Sequence, residues 1–103
     1  MNKTLLIADS GSTKTDWVLH DGTAIVLRTT TQGLNPTLQS AEDIYKVLSE
    51  ELDGKIASDA PDTIYFYGAG CAYETADNRM KEALEQYFVT RKIHIHSDLL
   101  AAA

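Results

Sequence analysis

"LLIADSGSTKTDWVLH" (residues 5–20) decides how the rest of the chain reads. An apolar run ends at Asp9, a polar loop follows, and a second run with alternating apolar residues begins at Thr15. A hairpin that only reverses the chain needs about two to five residues and one glycine. This one also carries a carboxylate, a lysine and the hydroxyls of Ser10, Ser12, Thr13 and Thr15. Consecutive backbone N–H groups around Gly11 can form an anion-holding concavity, and a glycine there allows close approach. The hydroxyls would add donors and Lys14 a point charge. Asp9, at the strand end, is an oxygen ligand of the kind a small hard cation such as Mg²⁺ prefers. The turn joins two strands, so it is not a Walker loop, which opens a helix with G-x-x-x-x-G-K-[ST]. A solvated polar hairpin is the alternative reading of the same residues.

Outward from this hairpin, residues 3–9 form a near-continuous apolar run and predict a buried strand. Residues 14–20 and 23–31 are rich in β-branched residues, and the Asp21-Gly22 pair between them predicts a tight hairpin. "TQGLNPT" (31–37) reads as a loop, because Gly33 and Asn35-Pro36 interrupt regular structure. From Ser40 the period becomes helical through Ala41, Ile44, Tyr45, Leu48 and Leu52, with Ser40 and Asp43 as the cap. Residues 63–70 predict a strand that ends in a glycine loop. Ala76, Met80, Ala83, Leu84, Tyr87 and Phe88 mark a second amphipathic helix, and residues 92–96 a last strand. Trp17, Tyr45, Tyr65 and Tyr67 are expected in the core, Cys71 as a small buried thiol, and His94 and His96 on a packed or polar strand face. The order βββαβαβ(α), with right-handed crossovers, predicts an α/β domain of ribonuclease-H-like type: a mixed five-stranded sheet with helices on its faces.

The chain has 103 residues, 44% apolar and 23% charged, which is the make-up of one soluble globular domain. Its net charge of −6, without a basic cluster, excludes the electrostatic footprint of a nucleic-acid or anionic-membrane binder. No apolar stretch approaches the roughly 20 residues of a membrane span, and one cysteine suits the reducing cytoplasm. "SDLLAAA" (97–103) reads as the first turns of a helix capped by Ser97 or Asp98, without a stop signal. The expectation is therefore an N-terminal lobe, residues 1–103, interrupted within the helix that begins near Asp98.

"IADSGSTKTDWVL" resembles the first phosphate-binding motif of the actin-like ATPase and sugar-kinase superfamily. It is especially similar to the N-acetylglucosamine kinase and BadF/BadG-type ATPase family. "QGLNP" (32–36) resembles the family's sugar-contacting loop, and "IHIHSDLLAAA" (93–103) its strand-to-helix junction with the catalytic aspartate. The resemblance implies that Gly11, Ser12, Thr13 and Lys14 hold the phosphates of ATP and that Asp9 positions Mg²⁺. It further implies that Asn35 hydrogen-bonds an amino sugar, and that Asp98 contacts the sugar and is the general base. The partners implied are a small sugar and the missing C-terminal lobe; a homodimer is compatible with the sequence. Asp98 could otherwise be only a helix cap and Asn35 only a turn residue. A cluster-carrying branch of the family has a cysteine just after the acidic residue at this junction, and this chain has none there.

Three other readings compete. One is a BadF/BadG-type ATPase of another role, and another a non-catalytic sugar or nucleotide sensor. The apolar-apolar-Asp-Ser-Gly pattern also fits an aspartic protease, but that fold is nearly all β, and two amphipathic helices are predicted here.

Overall fold

The computed structural model describes residues 3–68 and 74–96. Strand β1 (Leu5–Ser10) pairs antiparallel with β2 (Lys14–His20), which pairs antiparallel with β3 (Ile25–Gln32). Helix α1 (Ala41–Glu51) leads to β4 (Thr63–Gly68), and α2 (Glu74–Tyr87) leads to β5 (Ile93–His96). The sheet order is β3-β2-β1-β4-β5, with β4 parallel to both β1 and β5. The mixed five-stranded sheet expected from the sequence is present, and its two helices are incompatible with the all-β protease alternative.

Both crossovers advance in the same direction across the sheet, so crossovers of one hand place α1 and α2 on one face. Strand alternation then sorts the residues. Leu6, Ala8, Trp17, Ile64 and Phe66 point toward the helices and are buried against Ile44, Leu48, Met80 and Leu84. Trp17 lies at the centre, 6.2 Å from Phe66 and 6.4 Å from Phe88 between ring centroids. Its indole N–H donates to Thr31 Oγ1 at 3.0 Å, so the buried ring leaves no orphan donor. Burying each phenylalanine contributes about 1.5–3 kcal/mol. The Ser40 cap, with Ser40 Oγ accepting from Asp43 N–H at 3.1 Å, contributes about 1 kcal/mol. The core therefore sets the architecture, and the cap sets where α1 begins.

Two expectations need correction. Tyr45 and Tyr65/Tyr67 are not core residues. Tyr45 lies at the edge of the α1 stripe, where Val47 takes the buried position. Tyr65 and Tyr67 alternate onto the sheet face opposite α1 and α2, where they stack on His94 and His96 with centroids 4.9 and 5.5 Å apart. The β2–β3 turn is also wider than expected: β3 begins at Ile25, and a register shift follows Leu19. Only Gly22 has positive φ, whereas the tightest Asp-Gly hairpin needs it at both central residues. The cause is Asp21, whose Oδ1 accepts the N–H groups of Thr23 and Ala24 and the Thr23 hydroxyl, all at 2.8–2.9 Å. Those amides are thereby taken from the ladder.

These bonds, led by the Ala24 N–H, lower the Asp21 pKa from 3.8 to about 2. A depressed carboxylate stabilises the fold above its unfolded pKa and loses that contribution as pH falls through the folded one. NMR titration should show the Thr23 and Ala24 amides shifting with a midpoint near pH 2, well below the ordinary aspartate range.

Candidate functional site

Strands β1, β4 and β5 are parallel, and β3 runs in their direction because two antiparallel pairings separate it from β1. Their C-terminal ends share one edge, the usual place for ligands in open α/β sheets. The hairpin after Ser10, the loop after Gln32 and the start of α2 all lie there.

Alternation along β1 turns Asp9 outward, exposed on the face opposite α1 and α2 among the described residues, and Ser10 inward. Asp9 is paired across the ladder with Asp16 on one side and with Tyr67 on the other. At the hairpin tip Ser12, Thr13 and Lys14 are exposed, and neither the Ser12 nor the Thr13 hydroxyl has a partner among the described residues. Lys14 Nζ lies 3.9 Å from Asp16 Oδ1, an exposed pair of the kind that contributes about 0–1 kcal/mol and leaves the ammonium available. One expectation is corrected here: the Gly11 N–H is not a free donor of an anion cradle but is turned into the hairpin, donating to Lys14 O at 2.8 Å.

The four hydroxyls read together in the sequence have two different roles. Ser10 and Thr15 are buried, and they face the core rather than a ligand. Ser10 Oγ donates to Leu34 O and accepts from Leu34 N–H, both at 2.9 Å. The Thr15 hydroxyl lies 2.8 Å from Ser10 Oγ and 3.1 Å from Gln32 O, and can give its single proton to either. Gly33 N–H adds a bond to Thr13 O at 3.1 Å. The hairpin and the 32–36 loop are thus joined side by side.

That loop is also held from behind. Gln32 donates from its backbone N and its side-chain Nε2 to the Glu51 carboxylate on α1, and the Arg79 guanidinium on α2 donates to Pro36 O. Asn35 Oδ1 accepts from Thr37 N–H at 2.9 Å, so Asn35 is a turn residue. The turn uses Oδ1 and not the side-chain NH₂ donors, which is compatible with the ligand role expected of it.

Asp98 and Cys71 lie outside the described residues; β5 ends at His96 on the shared edge. Sequence reasoning missed two carboxylates at this edge. Asp16 faces away from the buried Trp17 next to it, and the alternation of "KTDWVLH" contains that signal. Pairing with Asp9 then follows from the hairpin register. Asp77, in the first turn of α2, has a buried Oδ1 without a hydrogen-bond partner among the described residues. Burial pushes its carboxyl above the ordinary carboxylate range, and the charge of His96 partly opposes this.

The sheet order, the two helices and the loop-bearing edge define the actin-like ATPase fold. A Bacteroides thetaiotaomicron protein with that fold and unknown function matches 91% of the chain at a TM-score of 0.55 and 14% identity. Much greater similarity links the chain to a Porphyromonas gingivalis protein provisionally named an N-acetylglucosamine kinase: 36% identity and a TM-score of 0.81 over 91% of the chain. The resemblance to the N-acetylglucosamine kinase family thus holds in three dimensions as well as in motif. The chain spans about a third of the length of these two structures, 34% and 32% respectively. No family model and no curated protein matches it.

Gly33 makes the contact between the two loops sterically tight. A Cβ there would lie 2.7 Å from Gly11 O and 2.9 Å from Ser12 O, both rigid backbone atoms. Gly33→Ala should therefore force the loops apart and destabilise the protein by about 1–3 kcal/mol. Urea unfolding should show a lower midpoint with an unchanged slope; an unaltered midpoint would mean the contact is looser than described.

Proposed function

We propose that the chain is the N-terminal lobe of an ATP-dependent amino-sugar kinase of the cytoplasm. The observation that carries this reading is the junction of two loops at one sheet edge. The hairpin tip of Gly11, Ser12, Thr13 and Lys14 lies beside the Asn35 loop, in a chain 36% identical to a protein named for sugar phosphorylation. In this reading the tip holds the phosphates of ATP, with unpartnered hydroxyls as donors and Lys14 as counter-charge. Asn35 orients the acceptor sugar through its side-chain amide.

The donor set fits Mg²⁺: Asp9 is an exposed carboxylate at the same edge, and Asp16 across the ladder offers a second oxygen ligand. When bound, the ion would neutralise charge on the phosphates. Asp98 takes the proton from the acceptor hydroxyl as that oxygen attacks the γ-phosphorus and the bond to the ADP oxygen breaks. Such a transfer is governed by positioning and electrostatics, with little covalent work for the protein.

The test is ADP release by the full-length protein with Mg·ATP, N-acetylglucosamine and a panel of hexoses. Sugar-dependent turnover is expected, with Asp98→Asn lowering kcat by about 10²–10⁴-fold and Asp9→Asn raising the Mg²⁺ requirement. The 103-residue chain alone should show negligible turnover. ATP hydrolysis indifferent to every sugar would overturn the kinase reading.

A further inference from the structure

We propose that Ser10 is a positioning residue that couples the nucleotide hairpin to the sugar loop; this rests on the kinase reading above. Ser10 follows Asp9 directly and precedes Gly11, so its backbone belongs to the phosphate-holding segment. Its side chain belongs to the other loop. With 1% of its surface exposed, the hydroxyl bonds both the N–H and the C=O of Leu34, the residue immediately before Asn35. In doing so it imitates the backbone of a paired strand and extends the sheet past the end of β1. Thr15 Oγ1, itself fully buried, lies 2.8 Å from Ser10 Oγ, and can donate to it or to Gln32 O.

The donor and one acceptor position of this hydroxyl are committed to Leu34, and the Thr15 hydroxyl lies against the second acceptor position. Leu34 is also buried, at 1% exposure, so water has no access to replace a lost partner. A shift of the hairpin tip toward a phosphate therefore has only one residue, Leu34, between Ser10 and the amide of Asn35. The Gly33 N–H bond to Thr13 O and the close approach of Gly33 to Gly11 O make the same connection through the backbone. Binding of nucleotide at the tip and of sugar at Asn35 then acts on one rigid unit, and each should tighten the other by the same factor.

The experiment compares the full-length wild type, Ser10→Ala, and Ile56→Val as a mildly destabilised control remote from both loops. Sugar affinity is measured by calorimetry with and without a non-hydrolysable ATP analogue, and hydrogen exchange is followed over residues 11–14 and 33–36. In the wild type and Ile56→Val, the analogue should tighten sugar binding severalfold. In Ser10→Ala this factor should fall to about one, with kcat reduced and exchange raised in both segments together. Ser10→Ala that keeps the wild-type factor would overturn the proposal, as would exchange rising in one segment only or a wild type without coupling. A wild type that binds both ligands cooperatively yet phosphorylates no sugar would overturn the kinase reading and leave the coupling established. Should Ser10→Ala not fold, Ser10→Cys is read in the same way, since a thiol keeps the side chain's shape but is a weak donor and acceptor and so loosens both bonds to Leu34.

Discussion

A hydroxyl withdrawn from water at the end of β1 must find all its partners within the protein, and this requirement organises the site. An unpartnered buried polar group costs about 1–3 kcal/mol. Ser10, Thr15 and Thr31 are all buried in this corner, and each has partners within about 3 Å: Leu34, Gln32, Trp17 and one another. Removing one member strands several atoms at once, because low-dielectric surroundings strengthen such bonds and magnify their loss together. The corner therefore has one satisfied arrangement, in which the loop after β3 lies against the loop after β1. Two segments more than twenty residues apart are brought together by polar necessity as much as by apolar burial.

The rigidity of that corner contrasts with the freedom of the tip beyond it. Ser12, Thr13 and Lys14 extend from a base whose inward groups are fully committed, while their own side chains are held by little. A ligand site benefits from this division. The base holds the backbone in place without further ordering cost, and the tip keeps two hydroxyl donors without an acceptor among the described residues and a lysine only loosely paired to Asp16. The opposite arrangement, an internally satisfied tip on a loose base, would weaken any ligand twice. It would first have to break internal bonds and then order the chain.

Much of the fold was legible because two kinds of signal agreed. The period changes from two to 3.6 at Ser40, where Asp43 completes the capping box, and the structure begins α1 at the next residue. β1 was equally readable from its apolar run, and β2 and β5 from their alternation. What was not legible depended on which face of the sheet a residue meets. Tyr65 and Tyr67 alternate with Ile64 and Phe66 in one strand, and β-propensity is the same for both sets. Only the placement of both helices on one face decides that the tyrosines lie opposite, against His94 and His96. The Asp21 turn escaped for a different reason. Asp-Gly predicts a tight hairpin from backbone geometry alone, but here the carboxylate competes for the amides that such a turn would leave to the ladder. In the site, composition identified the hairpin. It could not separate hydroxyls that support the loop from hydroxyls that face outward, since serine and threonine occur in both roles. The separation follows from alternation once the register is known.

Register is accordingly where the core and the chemistry meet. Asp9 and Ser10 are adjacent, and in a strand adjacent residues point to opposite faces. The outward position receives the carboxylate and the inward one the hydroxyl that anchors the neighbouring loop. A slip of one residue between β1 and β2 would exchange them. It would drive Asp9 into the apolar layer occupied by Ala8, Trp17 and Phe66, where an unpaired carboxylate costs at least about several kcal/mol. If β2 turned over instead, the ring of Trp17 would be exposed and its bond to Thr31 lost. The apolar core lies behind the edge loops, yet it enforces which side chains those loops present. Two packed rings and an alanine thus decide, through the parity of the strand, that a carboxylate faces outward at the edge and a hydroxyl faces in.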